Sequence, residues 1–373
     1  MKWTFRIGKF WGIDVFLHAT FFVMIVWLGI SYWIQGNNIV TALTGVGFIL
    51  ALFGSVVLHE YGHALTARRF GVETKNITLY PIGGVASLER IPEKPKQELL
   101  VALAGPAVNL VISLVILLGL LFTSSLQPLT GLGILEGSFF QRLMIANLTL
   151  VGFNLIPAFP MDGGRVLRAL LAMRLEYTAA TQIAASVGQG LAFVFGLIGL
   201  FSNPFLVFIA FFVWIGAQNE AKMVRMNSAL EGIPVSRAML TDFEVLSPAD
   251  QLSKVIDHVL RSDQKHFPVV LDDQVVGVLS ETGLLQGLRN KGEETLVAEV
   301  MEHNFRTADS YEMLETAFNR LRECACHTMP ILRNGELVGL VTMDNIGELI
   351  RIQSILDLRE GPAKNSTMME LEV

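Results

Sequence analysis

Long runs without charged side chains fill much of the first 220 residues, and each is about as long as a membrane helix. Crossing a bilayer takes about 20 mostly apolar residues. The runs cover residues 15–34, 39–58, 99–123, 143–161 and 177–219. The last is long enough for two helices, with a turn at 202–204. The pattern therefore predicts a polytopic α-helical membrane domain with six spans.

The remainder of the chain shows a repeat at an offset of 62 residues. The repeat aligns Met239 with Met301, Phe243 with Phe305, Pro268 with Pro330, and Gly277 with Gly339. Each copy has a helix-like stretch followed by two short β-rich runs, at 266–270 and 275–279 in the first copy. We expect two similar α/β units that pack together.

Composition supports this division. Of the 373 residues, 52% are hydrophobic and only 17% are charged, which is typical of a membrane protein. Residues 1–226 carry a net charge of +5 and residues 227–373 a net charge of −11, so a soluble acidic part follows a membrane part. This balance gives no support to nucleic-acid binding. The predicted domains are a membrane domain at 1–221, the first repeat with its linker at 222–290, the second repeat at 291–352 and a C-terminal tail at 353–373.

The distribution of Lys and Arg predicts the orientation in the membrane, since these residues are retained in short cytoplasmic loops. They cluster before the first span, between the second and third spans, and between the fourth and fifth, whereas Arg142 stands alone in the alternate loops. We therefore expect a multi-pass protein of the cell membrane with cytoplasmic N- and C-termini. The ends of the second and fourth spans then lie on the same side, where His59 and Asp162 can approach each other.

The end of the second run carries the motif His59-Glu60-Tyr61-Gly62-His63. Two histidines four residues apart project from one face of a helix, where they can share one zinc ion, and the intervening glutamate can act as a general base. By itself, an H-E-x-x-H motif also arises by chance in about 1 chain of this length and composition in 100.

Catalytic zinc usually takes three protein ligands, and Asp162 is the strongest candidate for the third. It ends an uncharged run, where a carboxylate is costly unless it is paired or metal-bound. The prolines and glycines around it are expected to break the helix and to hold Asp162 on a turn. The alternative is that Asp162 only caps the helix that follows.

A β-rich segment at 77–88, with a Gly83-Gly84 pair, predicts a hairpin between the second and third spans. An open edge there could accept an extended peptide as an added strand, while a plain solvated hairpin is an equal interpretation.

Together these motifs resemble the site-2 protease family of intramembrane zinc metalloproteases, in the subgroup with six spans and a C-terminal CBS pair. The resemblance rests on H-E-x-x-H followed by N-x-x-P-x-x-P-x-D-G-G, which spans Asn154 to Gly164 and places Asp162 103 residues after His59. It implies a zinc metalloendopeptidase with one zinc ion per chain, held by His59, His63 and Asp162, with Glu60 as the general base.

The resemblance also bears on residues that contact the substrate. Asn154 and Asn109 are amides in apolar spans that could hold the substrate backbone or stabilise an oxyanion, although helix packing is the common use of such residues. The segment with Gly83 is similar to the β element that presents the substrate strand in this family.

CBS pairs commonly bind an adenosine nucleotide, with a hydroxyl followed three residues later by Asp. Here the hydroxyls are Ser280 and Thr342, but Gly283 and Asn345 stand at the Asp positions. Nucleotide regulation and a dimerising or gating module without a ligand are therefore both open.

The predicted function is hydrolysis of a peptide bond in or near a transmembrane segment, regulated by the CBS pair. The family implies a membrane-protein substrate such as a membrane-tethered transcription regulator or an anti-sigma factor, and a homodimer through the CBS pair is consistent with it. Two alternatives are a transporter or channel regulated by a CBS pair, and a catalytically silent membrane chaperone.

Overall fold

The computed structural model describes residues 3–36, 38–81, 83–88, 94–126, 137–261, 264–324 and 328–360. The chain divides into two compact units, Met1–Val224 and Arg225–Val373, whereas the predicted boundary lies between residues 221 and 222. Each unit has its own hydrophobic cores.

The first unit is mainly helical. Among its described residues, four helices (α2, α3, α6 and α7) are long and apolar enough to cross a membrane, and α1 is a shorter apolar helix. The number six therefore stays a prediction. The helices are α1 (Ala19–Gly36), α2 (Ile39–Arg69), α3 (Pro95–Phe122), α4 (Phe139–Asn154), α5 (Asp162–Ala172), α6 (Tyr177–Phe201) and α7 (Pro204–Leu230).

A four-stranded sheet of order β1-β2-β3-β4 accompanies these helices. Its strands are β1 (Thr4–Phe10), β2 (Ile13–His18), β3 (Thr74–Tyr80) and β4 (Gly83–Leu88). The hairpin predicted at 77–88 is confirmed, because β3 and β4 pair antiparallel. The predicted start of the first span at residue 15 is wrong: Ile13 and Val15 alternate as buried positions of a strand, and the helix begins only at Ala19.

The fourth predicted span is also shorter than expected. Helix α4 has 16 residues and ends at Asn154, and a turn occupies residues 155–161 before α5. Pro157 and Pro160 lie in this turn and cannot continue a helix, as the sequence predicted.

The second unit contains the predicted repeat, and every helix and β-hairpin recurs at the offset of 62 residues. Short 3-10 turns recur as well, at Val235–Arg237 and Val297–Glu299. The first copy consists of α8 (Leu252–Arg261), β5 (His266–Leu271), β6 (Gln274–Ser280) and α9 (Glu281–Lys291). The second consists of β7 (Ala308–Asp309), α10 (Leu314–Glu323), β8 (Thr328–Arg333), β9 (Glu336–Thr342) and α11 (Met343–Glu360). Helix α11 thus runs eight residues into the predicted tail, and residues 361–373 lie outside the described part.

The two copies exchange contacts reciprocally. A Cβ on Gly277 would lie 2.6 Å from Met301 Sδ, and one on Gly339 would lie 2.7 Å from Met239 Sδ. The backbones of Leu240 and Leu340 also pair across the copies. Each copy therefore completes the packing of the other, as expected for a tandem module.

Candidate metal centre

Three side chains that can bind a metal converge at the junction of α2 and α5. His59 and His63 lie one turn apart on α2, and Asp162 is the first residue of α5. The two Nε2 atoms are 3.0 Å apart, and each lies 3.2 Å from Asp162 Oδ2. All three residues are buried, and they form a candidate metal site in the described part of the chain.

The hydrogen bonds of the two rings decide which nitrogens face the metal. His63 Nδ1 donates to the carbonyl oxygen of Val101 at 2.7 Å, and a carbonyl can only accept. His59 Nδ1 lies 2.8 Å from Asn109 Oδ1. With both Nδ1 atoms protonated, each neutral ring directs an Nε2 lone pair toward the point that Asp162 Oδ2 also faces.

This donor set fits zinc. Ligand distances of about 2.0–2.1 Å in a tetrahedral site place the ligand atoms about 3.3 Å apart, close to the separations found here. Three converging acceptors with no proton between them would repel one another, and a bound cation removes that repulsion.

Gly105 of α3 provides the space beside this centre. A Cβ at this position would lie 2.2 Å from His63 Nε2 and 2.6 Å from His59 Nε2. A Cβ on Gly62 of α2 would lie 2.7 Å from the carbonyl oxygen of Ala104, so glycine on both helices allows their close approach. Sequence reasoning missed Gly105, although it lies in the apolar segment that contains Asn109.

A chain of buried amides fixes the orientation of His59. Asn147 Nδ2 donates to the carbonyl oxygen of Leu143 at 2.9 Å, so Asn147 Oδ1 faces Asn109 and accepts from its Nδ2 at 3.0 Å. Asn109 Oδ1 must therefore accept from His59. Asn147 Nδ2 also lies 3.3 Å from Ser55 Oγ, which brings the chain back to α2 one turn before His59.

These contacts describe the surroundings of Asn109, whose predicted contact with a substrate stays a prediction. The residue is completely buried, its Oδ1 faces His59 Nδ1, and its Nδ2 donates to Asn147 Oδ1, so it is placed to orient a candidate metal ligand. Asn147 and Ser55 were missed, although a polar residue one turn from His59 was a usable signal.

Glu60 lies against the hairpin. A Cβ on Gly84 would approach Glu60 Cγ to 2.7 Å, so a strand with a side chain there would displace the carboxylate. The structure thus places Gly84 against Glu60, while the predicted Gly83 is the first residue of β4 and pairs with Tyr80. Strand β4 is an edge of its sheet within the described residues, so an edge strand lies beside the candidate base.

Asn154 is half-buried at the end of α4, eight residues before Asp162. Its contact with a substrate stays a prediction.

In the second unit, the two hydroxyls of the predicted nucleotide site act as helix caps. Ser280 Oγ accepts from the backbone of Gly283 and lies 2.9 Å from Glu302 Oε1, while Thr342 Oγ1 accepts from the backbone of Asn345. The residues that replace the expected aspartates thus lie at the first turns of α9 and α11.

Comparison with known proteins identifies both units. The model of peptidase family M50 matches residues 47–136 and 135–197, and the CBS domain model matches residues 235–290 and 297–351. A zinc metalloprotease from Methanocaldococcus jannaschii is 34% identical over 363 residues, which cover 96% of this chain and 99% of that protein. The stage IV sporulation protein FB of Bacillus subtilis is 27% identical over 157 residues, or 42% of this chain and 51% of that protein.

Among solved structures, the site-2 protease from Methanocaldococcus jannaschii matches 59% of this chain and 95% of its own, with 40% identity and a TM-score of 0.43. The full-length similarity to a zinc metalloprotease and the two matched families agree with the site described above. The chain therefore belongs to peptidase family M50, the site-2 proteases, as a multi-pass membrane zinc metalloprotease that carries a pair of CBS domains.

Proposed function

We propose that His59, His63 and Asp162 hold the zinc ion and that Glu60 is the general base for cleavage of a substrate's transmembrane segment. The observation that carries this proposal is the convergence of two Nε2 atoms and one carboxylate oxygen within 3.2 Å of one another. Because the chain belongs to a peptidase family, we set aside the alternative of a transporter or channel. The presence of all four residues favours an active protease over a silent chaperone.

The chemistry follows from the positions of these side chains. Bound zinc supplies Lewis-acid activation of a water molecule and of the substrate carbonyl. Glu60 accepts the proton of the attacking water on its carboxylate and returns it to the leaving amine. The three ligands are buried, and electrostatic interactions are stronger in a buried site than in bulk water.

The substrate has to be extended, because a peptide bond inside a helix is sterically protected and its backbone is already hydrogen-bonded. The edge of β4 can add such a strand beside Glu60, with Gly83 and Asn154 in contact with the substrate backbone. Because the site-2 protease family acts on membrane proteins, we infer a single-span substrate such as a membrane-tethered transcription regulator or an anti-sigma factor. The positive-inside pattern supports cytoplasmic termini and cleavage near the cytoplasmic face.

Glu60→Gln tests the proposed base. The variant should keep about one zinc ion per chain and lose cleavage of a single-span model substrate in proteoliposomes, because it removes the base without removing a ligand. Glu73→Gln is the matched control, since Glu73 is exposed and lies outside the site, and it should cleave like wild type. Normal cleavage by Glu60→Gln, or absence of zinc from the wild type, would contradict the proposal.

We also infer that the CBS pair regulates the protease unit and supports a homodimer. An adenosine nucleotide is the ligand that the CBS family implies. Addition of AMP or ATP to the full-length protein in proteoliposomes should change the cleavage rate if the pair senses nucleotides. An unchanged rate would favour the alternative that the pair is a dimerising or gating module that binds no nucleotide.

A further inference from the structure

A charged arginine side chain is fully buried in the first unit, and it is separate from the proposed metal ligands. Arg168 of α5 has no exposed surface, although guanidinium groups are almost never fully buried unless they are paired. Its Nε donates to Glu98 Oε1 at 2.8 Å, and its Nη2 lies 2.5 Å from the same oxygen. Its Nη1 donates to Glu220 Oε1 at 2.6 Å. One cation thus joins the first turn of α3 to α7 through α5.

Aromatic rings complete the surroundings of this guanidinium. The rings of Phe159 and Tyr177 each lie with their centroid 5.0 Å from Arg168 Cζ, within the range of cation–π attraction. Burial lowers the pKa of a guanidinium, but Glu98 and Glu220 more than offset this and raise the pKa of Arg168, which stays charged.

The cluster lies on the element that carries the third metal ligand. Asp162 and Arg168 are six residues apart on α5, or about 9 Å along the helix axis. At the start of α5, a Cβ on Gly163 would lie 2.2 Å from the carbonyl oxygen of Ile156, so that end of the helix is pressed against the preceding turn. Arg168 is a second anchor, and two anchors fix the direction of a helix where one does not.

The turn before Asp162 is held by the same side chain. Phe159, three residues before the ligand, is 1% exposed and faces the Arg168 guanidinium. Arg168 therefore belongs to the helix that follows Asp162 and also contacts the turn that leads into it.

Stability alone does not explain such a cluster. Buried ion pairs often contribute no more than well-packed apolar groups of similar size, because desolvation costs about as much as the attraction returns. A rigid, directional contact is the more specific contribution of a guanidinium, since its planar fork fixes the geometry of its partners.

We propose that Arg168 is a positioning residue that sets Asp162 against His59 and His63 through the contacts with Glu98, Glu220 and Phe159. This inference rests on the proposed zinc site. The proposal predicts that a substitution of Arg168 weakens zinc binding only in a protein that still has Asp162.

A double-mutant cycle on the full-length protein tests it. Arg168→Lys keeps the charge and loses the planar fork, and Arg174→Lys is the matched control at an exposed arginine just beyond the end of α5. Zinc affinity is measured in detergent by competition with chelators, in the wild-type background and in Asp162→Asn. Thermal unfolding of the zinc-free samples reports stability separately.

Arg168→Lys should lower zinc affinity about 10-fold in the wild-type background and less than about twofold in Asp162→Asn. Arg174→Lys should change neither value. A loss of affinity of the same size in both backgrounds, or no loss in either, would overturn the proposal. Failure of the wild type to bind zinc would instead refute the proposed function.

Glu98→Gln is a second variant in case Arg168→Lys does not fold, because it keeps the size of the side chain and removes one charge. It should show the same dependence on Asp162. Equal effects of Glu98→Gln on zinc affinity in both backgrounds would contradict the positioning role independently of Arg168.

Discussion

The two units of this protein pack their interiors differently. The first unit buries small side chains at helix contacts, such as Ala64, Ala67, Ala102 and Ala184, while Leu110, Leu114 and Leu118 of α3 are more than half exposed. The cores of the second unit consist mainly of large side chains. Those cores contain Leu230, Leu314, Phe318, Leu321 and Met329 in one cluster and Leu246, Leu252, Phe267 and Leu279 in another.

Buried polar groups differ in the same way. The first unit buries the ionisable side chains of Glu98, Asp162 and Arg168, together with the amides of Asn109 and Asn147. In the described part of the second unit, the buried polar side chains are the uncharged hydroxyls of Ser280, Thr295, Ser310 and Thr328.

The difference follows from the surroundings. Water drives large apolar side chains into a core, whereas lipid tails are as apolar as leucine and give helices no such reason to associate. A membrane unit therefore gains its specificity from close helix approach and hydrogen bonds. Small changes of volume or hydrogen bonding should disturb the metal site strongly and the CBS cores mainly through stability.

Gly105→Ala should have the largest effect. The new Cβ would overlap both Nε2 atoms, and zinc affinity should fall by more than the 10- to 100-fold loss that is typical of outer contacts. Chelator competition measures this, and cleavage should disappear with the zinc. The control is Gly347→Ala on α11, where nothing lies within 4 Å of the new Cβ. Normal zinc binding in Gly105→Ala would contradict the packing described for α2 and α3.

Asn109→Leu should have the next largest effect. It removes the acceptor for His59 Nδ1 and the donor to Asn147 Oδ1, so we expect a loss of zinc affinity of about 10- to 100-fold. Asn109→Asp keeps an acceptor oxygen and should restore most of the affinity. If both variants instead keep full affinity and show only a raised KM, Asn109 contacts the substrate as its sequence position first indicated.

Gly339→Ala should have the smallest effect on the protease site. Its Cβ would meet Met239 Sδ at 2.7 Å, and overpacking of this kind costs about 1–3 kcal/mol in the free energy of unfolding. Zinc affinity should stay at the wild-type value. Gly347→Ala should stabilise the same unit by about 0.5–1 kcal/mol, because alanine favours a helix and meets no neighbour. Loss of zinc in Gly339→Ala would contradict the separation of the two kinds of packing.

Much of the fold could be predicted from periodicity and composition. The uncharged runs predicted the long apolar helices α2, α3, α6 and α7, and the offset of 62 residues predicted two matching halves of the second unit. The N-terminal strands could not be predicted in this way. Thr4–His18 forms a hairpin because β2 pairs with β3, which lies about sixty residues later in the chain. Such a long-range partner leaves no mark on local hydrophobicity.

By itself the sequence determined the chemistry: a histidine pair with an intervening glutamate, a distant aspartate behind a proline- and glycine-rich turn, and the order in which they occur. Helical spacing alone puts His59 and His63 on one face, so no tertiary contact was needed to pair them. Only the tertiary structure decided what surrounds these ligands: Asn109 bonded to His59, Gly105 against both rings, and Arg168 buried behind Asp162. These roles depend on which helices contact each other and at which positions along their axes. An amide or a guanidinium forms hydrogen bonds only with the groups that the fold places within about 3 Å of it.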